Sequence, residues 1–281
     1  MEETMTFQQR LERATKNSQL CVGLDPVPER LPVEFRGRPD GVARFLRGIV
    51  EATAHYAAAF KPNLAFFEAL GKPGDKALFS TIEAVRDFAP GALLIGDGKR
   101  GDIGSTAERY AVALFDRWGF DAVTVNPWFG EDGVKPFAER EEKGVYLLAA
   151  TSNPSSAELQ EVGDPSQHLH LRVAELASEK WNANKNLGLV VGATRTETMT
   201  AMRESGPGLP WLIPGVGAQG GDLQAAVQYG CGVSGEIPSV VNASRSVLYA
   251  SAGADYALAA SKEAKKLRDQ IREAKKAVAD A

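Results

Sequence analysis

The stretch LLIGDGKRGDIGST, residues 93–106, changes from apolar to charged within a few positions. Residues 93–96 form an apolar run, which is typical of a parallel β-strand that is buried on both faces. Asp97 and Lys99 stand where that run stops, and a helical pattern follows over residues 106–118. A buried strand, a polar strand end and a helix together form the repeating unit of an α/β fold with a parallel sheet.

The same unit recurs along the whole chain. Apolar runs that predict strands lie at residues 20–24, 58–60, 93–96, 122–125, 145–150, 187–191, 211–216 and 240–241. Helical patterns follow most of them, at residues 42–56, 75–89, 106–118, 169–185 and 222–229, and a last helical stripe covers 260–279. Eight such units predict a closed (β/α)8 TIM barrel, and the chain length of 281 residues suits one. We expect a single domain over residues 1–281, with a doubly wound open sheet as the alternative fold.

The composition narrows the class of protein. Apolar residues make up 44% of the chain, and the net charge of -4 disfavours the basic face that a nucleic-acid-binding protein needs. Cys21 and Cys231 have no metal-type spacing, so we expect a reduced, cytoplasmic protein. No apolar run reaches membrane-spanning length, and the N-terminal residues lack the apolar centre of a signal peptide. We therefore expect neither a nucleic-acid partner nor a membrane.

Polar residues stand at the end of every predicted strand. They are Asp25, Lys61 and Asn63, Asp97 and Lys99, Asn126, Thr151 to Asn153, Thr194 and Arg195, Gln219, and Ser244 and Arg245. In a barrel the carboxyl ends of all the strands converge on one face, which is where active sites lie. Because polar residues follow each of the eight predicted strands, the sequence predicts an active site at that face.

The charged strand end at residues 97–102 constrains the chemistry. Asp97 and Lys99 are two residues apart, so their side chains point to the same side of a strand, and Lys61 and Asp102 could extend them into a chain of alternating charge. Two nearby aspartates hold Lys99 protonated, which suits a general acid and counts against a Schiff base. The lysines take the space and charge that Mg²⁺ would need, so we expect no metal. The alternative is a purely structural network of ion pairs.

The loops after the seventh and eighth predicted strands indicate a phosphate site. Residues 214–222 read PGVGAQGGD, and glycines let backbone N–H groups approach an anion. Residues 242–246 read NASRS and supply the guanidinium of Arg245. Barrels often bind phosphate on these two loops, so the pair predicts a phosphorylated ligand.

The chain resembles the orotidine 5'-phosphate decarboxylase family in its longer bacterial form (subfamily 2). The family signature Asp-x-Lys-x-x-Asp-Ile-x-x-Thr appears at residues 97–106, and residues 60–63, 151–154 and 214–219 also look like family segments. The resemblance covers nearly the whole chain. It implies a carboxy-lyase of de novo pyrimidine biosynthesis that converts orotidine 5'-phosphate to uridine 5'-phosphate and CO2 without a cofactor, as a homodimer with shared active sites.

The resemblance also implies a role for individual residues. The implied catalytic set is Lys61, Asp97, Lys99 and Asp102. Within it, Asp97 would lie against the substrate carboxylate and Lys99 would protonate the carbanion at C6. Asp25 and Lys61 would contact the ribose, and Ser152 would contact the pyrimidine. Gln219 would bridge base and phosphate, and Arg245 would bind the phosphate. Asp102 and Thr106 would reach the ribose in the neighbouring subunit's site, and Ile103 would be a further substrate-binding residue. Ser244 departs from the glycine that many members carry before the arginine, which puts the backbone contacts there in question.

Two other functions are weighed against this one. Sugar-phosphate decarboxylases of the same superfamily use Mg²⁺ and place an acid where this chain has Lys61. A non-catalytic sensor of phosphorylated ligands would need the binding loops but not Asp97 and Lys99.

Other residues have a less specific interpretation. We interpret His55, His168 and His170 as structural. Residues 126–129 could form a wall of the site or cover the barrel mouth, and Arg195 could bind phosphate or lie at the surface.

Overall fold

The computed structural model describes residues 5–193, 196–215, 222–232 and 236–279. Within these ranges the parallel strands pair in chain order, at β1 Leu20–Leu24, β2 Ala59–Pro62, β3 Leu93–Arg100, β4 Ala122–Val125, β5 Gly144–Ala150, β6 Leu187–Val191, β7 Trp211–Ile213 and β8 Val240–Ala243. β1 pairs with both β2 and β8, which closes the sheet into a barrel. The predicted (β/α)8 barrel is confirmed, and the doubly wound alternative is wrong.

Helices lie between the strands and at both ends of the chain. They are α1 Phe7–Thr15, α2 Gly41–Thr53, α3 Leu64–Glu68, α4 Lys72–Phe88, α5 Gly104–Ala111, α6 Glu131–Ala138, α7 Ala157–Gln160, α8 Leu169–Glu179, α9 Thr196–Ser205, α10 Leu223–Gly230, α11 Arg245–Leu248 and α12 Tyr256–Ala279. A π-helix at Val112–Arg117 continues α5, and 3₁₀ turns occupy Pro28–Arg30, Val33–Phe35, Pro127–Phe129, Pro154–Ser156 and Pro165–Gln167.

Several predicted boundaries shift in the structure. The strand predicted at 93–96 runs on to Arg100, with a register shift against β4. The helix predicted at 169–185 ends at Glu179, because asparagine side chains beyond it bind backbone groups instead of continuing the helix. Asn182 accepts a hydrogen bond from the Leu187 N–H, and Asn186 donates to three carbonyls at the end of α6 and in the loop before β5.

The lower part of the barrel interior is apolar. Its buried cluster includes Cys21 of β1, Ala59 of β2, Ile95 of β3 and Tyr146 of β5. Helix α1 packs against this layer, with the Phe7 ring edge-on to the Tyr146 ring at 6.2 Å between centroids. The interior is therefore filled at the amino-terminal end of the strands, and a ligand cavity has to form at the other end.

The inner face turns from apolar to polar along the strands. Side chains in a strand alternate between its two faces, so the residue two positions after an inward residue also points inward. The inward apolar residues Ala59, Ile95, Ala122 and Val240 are followed two positions later by Lys61, Asp97, Thr124 and Asn242. The three neighbouring strands β2 to β4, together with β8 on the other side of β1, thus bring polar side chains to one level, directly above the apolar layer.

Candidate active site

A cavity of about 480 Å³ opens at the carboxyl end of the barrel. Every strand or strand end contributes to its lining, which consists of Asp25, Lys61, Asn63, Asp97, Lys99, Thr124, Leu148, Thr151, Ser152, Asn153, Val190, Leu212, Pro214, Gly215, Asn242, Ser244 and Arg245. Charged groups cluster on the side of β2 and β3, and the apolar side chains come from β5, β6 and β7. The cavity can therefore hold a ligand that has both a flat apolar body and anionic groups.

Asp97 is the centre of the charged cluster. Its Oδ2 accepts a hydrogen bond from Lys61 Nζ at 2.7 Å, and its Oδ1 accepts one from Lys99 Nζ at 2.6 Å. The hydroxyl of Thr124 donates to the same Oδ1 at 2.9 Å. Donors from three adjacent strands, β2, β3 and β4, therefore hold this carboxylate in one orientation.

The ionisation of the cluster follows from its charges. Burial favours the neutral acid, yet the ammonium groups of Lys61 and Lys99 and their hydrogen bonds hold the pKa of Asp97 well below its usual range. Burial also disfavours a charged Lys61, but the carboxylates of Asp97 and Asp25 outweigh burial and raise the pKa of this lysine. Asp97 and Lys61 are therefore both charged at neutral pH.

The two lysines differ in their surroundings. The side chain of Lys61 is 6% exposed, whereas that of Lys99 is 48% exposed and borders the cavity. Lys99 also has a φ of 47°, in the left-handed region that a non-glycine residue seldom adopts. This conformation lies at the register shift between β3 and β4, where the Lys99 N–H donates to Thr124 Oγ1 at 2.9 Å.

Unpaired buried oxygens also face this region. Among the described residues, Asp25 Oδ1 and Asn242 Oδ1 are buried and have no hydrogen-bond partner. The Asp25 carbonyl accepts a hydrogen bond from the Tyr249 hydroxyl at 3.2 Å, which anchors the end of β1. Because unpaired buried polar groups are rare in folded proteins, these two side chains are candidates to accept hydrogen bonds from ligand hydroxyl or N–H groups.

The rim near β7 and β8 carries groups suited to an anion. Arg245 begins helix α11 and is exposed at the cavity, beside Ser244, whose Oγ accepts a hydrogen bond from Asn242 Nδ2 at 3.2 Å. Gly215 lines the same part of the cavity with a φ of 95°, a conformation that favours glycine. The predicted glycine-rich loop continues through residues 216–221, which include Gln219 and lie outside the described residues. Arg195 also lies outside the described residues.

Three predicted residues lie away from this cavity. Asp102, Ile103 and Thr106 do not contribute to its lining, and the Ile103 side chain is exposed. The Asp102 carboxylate accepts a hydrogen bond from the Ile103 N–H at 2.7 Å. Of the predicted chain of alternating charge, the structure brings Lys61, Asp97 and Lys99 together and leaves Asp102 on the neighbouring surface.

Two contributors were missed by the sequence reasoning. Thr124 is the one polar residue in the otherwise apolar run 122–125, and this interruption was the available signal. Gln160 of α7 holds the end of β5, because its Oε1 accepts from the Thr151 N–H at 3.0 Å and its Nε2 donates to Thr151 Oγ1 at 2.8 Å. Nothing in the sequence marks Gln160, since its role depends on a short helix folding back onto the strand end.

The remaining singled-out residues lie outside the main cavity. Trp128 borders a neighbouring apolar cavity, which shares Leu148 and Thr151 with the main one. His170 contacts the Gln160 carbonyl through Nδ1 at 2.8 Å, and its ring lies 5.4 Å from that of His168. In the described part of the chain, no three His, Cys, Asp or Glu side chains group as metal ligands, and no helix is long and apolar enough to cross a membrane.

Comparisons with known proteins agree with this geometry. Residues 18–260 match the model of the orotidine 5'-phosphate decarboxylase / HUMPS family. The chain is 47% identical over 272 residues to an orotidine 5'-phosphate decarboxylase of Bordetella avium, covering 95% of this chain and 98% of the relative, and 45% identical over 256 residues to one of Azoarcus sp., covering 91% and 94%. The solved structure of Leishmania donovani OMP decarboxylase superposes with a TM-score of 0.83 at 35% identity, covering 96% of this chain and 99% of that one. This chain belongs to the orotidine 5'-phosphate decarboxylase / HUMPS family.

Proposed function

We propose that this protein decarboxylates orotidine 5'-phosphate to uridine 5'-phosphate and CO2, a step of de novo pyrimidine biosynthesis. The observation that carries the proposal is the carboxylate of Asp97, held between the ammonium groups of Lys61 and Lys99 inside the cavity. Curated relatives that align over more than nine-tenths of the chain carry this activity in their names. The family model includes more than one activity, so the proposal depends on the relatives and on the site together.

The chemistry requires stabilisation of a carbanion. When the bond between C6 and the carboxylate breaks, the electron pair stays on C6, where no carbonyl is placed to delocalise it. An ammonium next to C6 stabilises that charge electrostatically and then transfers a proton to it. Lys99 is suited to this role because it borders the cavity and is partly exposed, so it can regain its proton from solvent.

Asp97 acts on the substrate rather than on the proton. Its charge is maintained by Lys61 and Lys99, so a substrate carboxylate lying against it is repelled until CO2 departs. Asp97 also holds the Lys99 ammonium in place, because its Oδ1 accepts a hydrogen bond from Lys99 Nζ at 2.6 Å. The ion pair thus prepares the acid and favours loss of the carboxylate at the same time.

The other cavity residues bind the rest of the nucleotide. Arg245, with Ser244 beside it, takes the phosphate, and Asp25 and Lys61 take the ribose hydroxyls. Ser152 contacts the pyrimidine, and Gln219 bridges base and phosphate. Binding the phosphate far from C6 supplies energy for organising the reacting end. No cofactor takes part in this scheme.

A homodimer with shared sites is the proposed assembly. Asp102, Ile103 and Thr106 are implicated in substrate binding by the family signature, yet they lie outside the cavity of their own chain. Their position on the adjoining surface is compatible with service to a partner's cavity. A twofold arrangement, the commonest for homo-oligomers, would complete both sites at once. We further propose that the enzyme is cytoplasmic.

The rival functions fit the site less well. A Mg²⁺-dependent sugar-phosphate decarboxylase needs an acid where this chain has Lys61, and that ammonium lies 2.7 Å from Asp97. A ligand sensor would have no use for a buried ion pair that borders the ligand. Neither alternative accounts for two lysines that share one carboxylate.

The test is the loss of the orotate absorbance after orotidine 5'-phosphate is added to purified, chelator-treated protein. We expect turnover, and we expect the same rate when Mg²⁺ is restored. Absence of turnover in folded protein would refute the decarboxylase assignment. Turnover that needs Mg²⁺ would refute the cofactor-free mechanism.

A further inference from the structure

The hydroxyl of Thr124 joins the two charged residues proposed to carry the reaction. Thr124 lies in β4 and is 1% exposed. Its hydroxyl donates to Asp97 Oδ1 at 2.9 Å and accepts the Lys99 N–H at 2.9 Å. One buried hydroxyl therefore contacts the side chain of the first residue and the backbone of the second.

The place of this contact in the sheet explains why a side chain is needed there. β3 and β4 pair regularly up to Gly96, the register then shifts, and pairing resumes where the Asn126 N–H donates to the Arg100 carbonyl at 2.8 Å. Between those points the Lys99 N–H bonds the Thr124 hydroxyl. Because Lys99 has a left-handed backbone there, its conformation depends on the surroundings that hold it.

The same hydroxyl limits rotation of the Asp97 carboxylate. Oδ1 receives two donors, Thr124 Oγ1 and Lys99 Nζ, while Oδ2 receives Lys61 Nζ. Without the hydroxyl, the carboxylate could turn toward Lys61, and the Lys99 backbone would lose its bonded partner. The ammonium of Lys99 would then no longer be held at one point in the cavity.

We propose that Thr124 is a positioning residue, which fixes the Asp97–Lys99 pair in the orientation needed to deliver a proton. The inference rests on the proposed decarboxylase function and adds a residue to its machinery. Thr124 acts through its two partners and is not itself assigned a proton-transfer step. The competing interpretation is a buried hydroxyl that contributes only to folding.

The test compares Thr124→Val, which keeps the shape and removes the hydroxyl, with Thr124→Ser, which keeps the hydroxyl. A hydrogen bond to a charged group has the strength to change a rate by about 10- to 100-fold, so we expect Thr124→Val to lower kcat by that factor. We expect its KM and its dissociation constant for uridine 5'-phosphate to stay within about threefold of wild type, because the phosphate contacts are elsewhere. Thr124→Ser should recover kcat to within about threefold of wild type.

A matched control is Thr81→Val in α4. Thr81 is also buried, and its hydroxyl donates only to the Ala77 carbonyl of its own helix, at 2.7 Å. This variant should lose thermal stability and keep its kcat. If Thr124→Val does not fold, Thr124→Ala carries the same expectations.

Three results would overturn the inference. They are a wild-type kcat in the variants without the hydroxyl, a Thr124→Ser enzyme as slow as Thr124→Val, and a loss of product affinity equal to the loss of kcat. A wild-type protein that does not decarboxylate would instead refute the proposed function, and the inference would fall with it.

Discussion

Lys61→Met and Lys99→Met each remove one ammonium from the same carboxylate, and we expect their effects on stability to differ sharply. The distances to Asp97 are nearly equal, 2.7 Å for Lys61 and 2.6 Å for Lys99. Their side-chain exposures differ, at 6% for Lys61 and 48% for Lys99. Methionine keeps the unbranched apolar part of the side chain and lacks the ammonium, so the comparison chiefly tests the charge.

The magnitudes follow from that exposure. Breaking a buried ion pair costs about 3–5 kcal/mol because a buried charge loses its partner. At about 2–3 °C per kcal/mol for a chain of this size, Lys61→Met should lower Tm by roughly 6–15 °C. A partly exposed pair contributes about 0–1 kcal/mol, and Asp97 keeps its bonds to Lys61 and Thr124, so Lys99→Met should lower Tm by no more than about 3 °C.

Lys99→Met should have a large effect on activity, although its effect on stability is small. Loss of a general acid costs about 10²–10⁴-fold in kcat, and we expect at least that loss while nucleotide binding is retained. Turnover is measured by the decrease in orotate absorbance, Tm by circular dichroism, and binding by titration with uridine 5'-phosphate. Equal Tm losses for the two variants would refute the argument from exposure. A Lys99→Met enzyme with more than about a tenth of wild-type turnover would refute the general-acid role.

Three further expectations concern the phosphate, the assembly and pH. Arg245→Ala should lower kcat/KM by about 30- to 150-fold, with a smaller loss on a substrate that lacks phosphate; equal losses on both substrates would assign Arg245 another role. Inactive Lys99→Ala and Asp102→Ala chains, refolded together, should regain about a quarter of the sites if the dimer shares them, whereas confirmed mixed dimers without activity would exclude sharing. The lowered pKa of Asp97 stabilises the fold above the unfolded pKa of about 3.9, and the raised pKa of Lys61 stabilises it below the unfolded pKa of about 10.4. We therefore expect the contribution of this pair to Tm to be constant from about pH 5 to 9 and to decline as the pH falls below about 4. If the Tm of an Asp97→Asn variant declines with falling pH as much as that of the wild type, this pair is not the cause.

The fold was predictable because buried parallel strands have a distinctive pattern. β1, β4 and β6 have the predicted boundaries, since each apolar run is as long as the buried part of its strand. β3 was predicted four residues too short, because its charged end continues in the sheet beside polar partners that a hydropathy pattern does not reveal. The helix predicted at 169–185 ends earlier, because Asn182 accepts a hydrogen bond from the nearby Leu187 N–H and Asn186 donates to the distant Ala138 carbonyl.

The sequence by itself determined which side chains could face the cavity. The strict alternation of a strand makes Asp97 point inward once Ile95 does, and the charged strand ends identify the active face of the barrel. Only the tertiary structure decided which of these groups touch. Lys61 and Thr124 are 36 and 27 residues away from Asp97 along the chain, and they reach it only because the barrel places β2 and β4 on either side of β3. The left-handed backbone of Lys99 was likewise unpredictable, since it arises where β3 shifts register against β4, and local sequence preferences disfavour it.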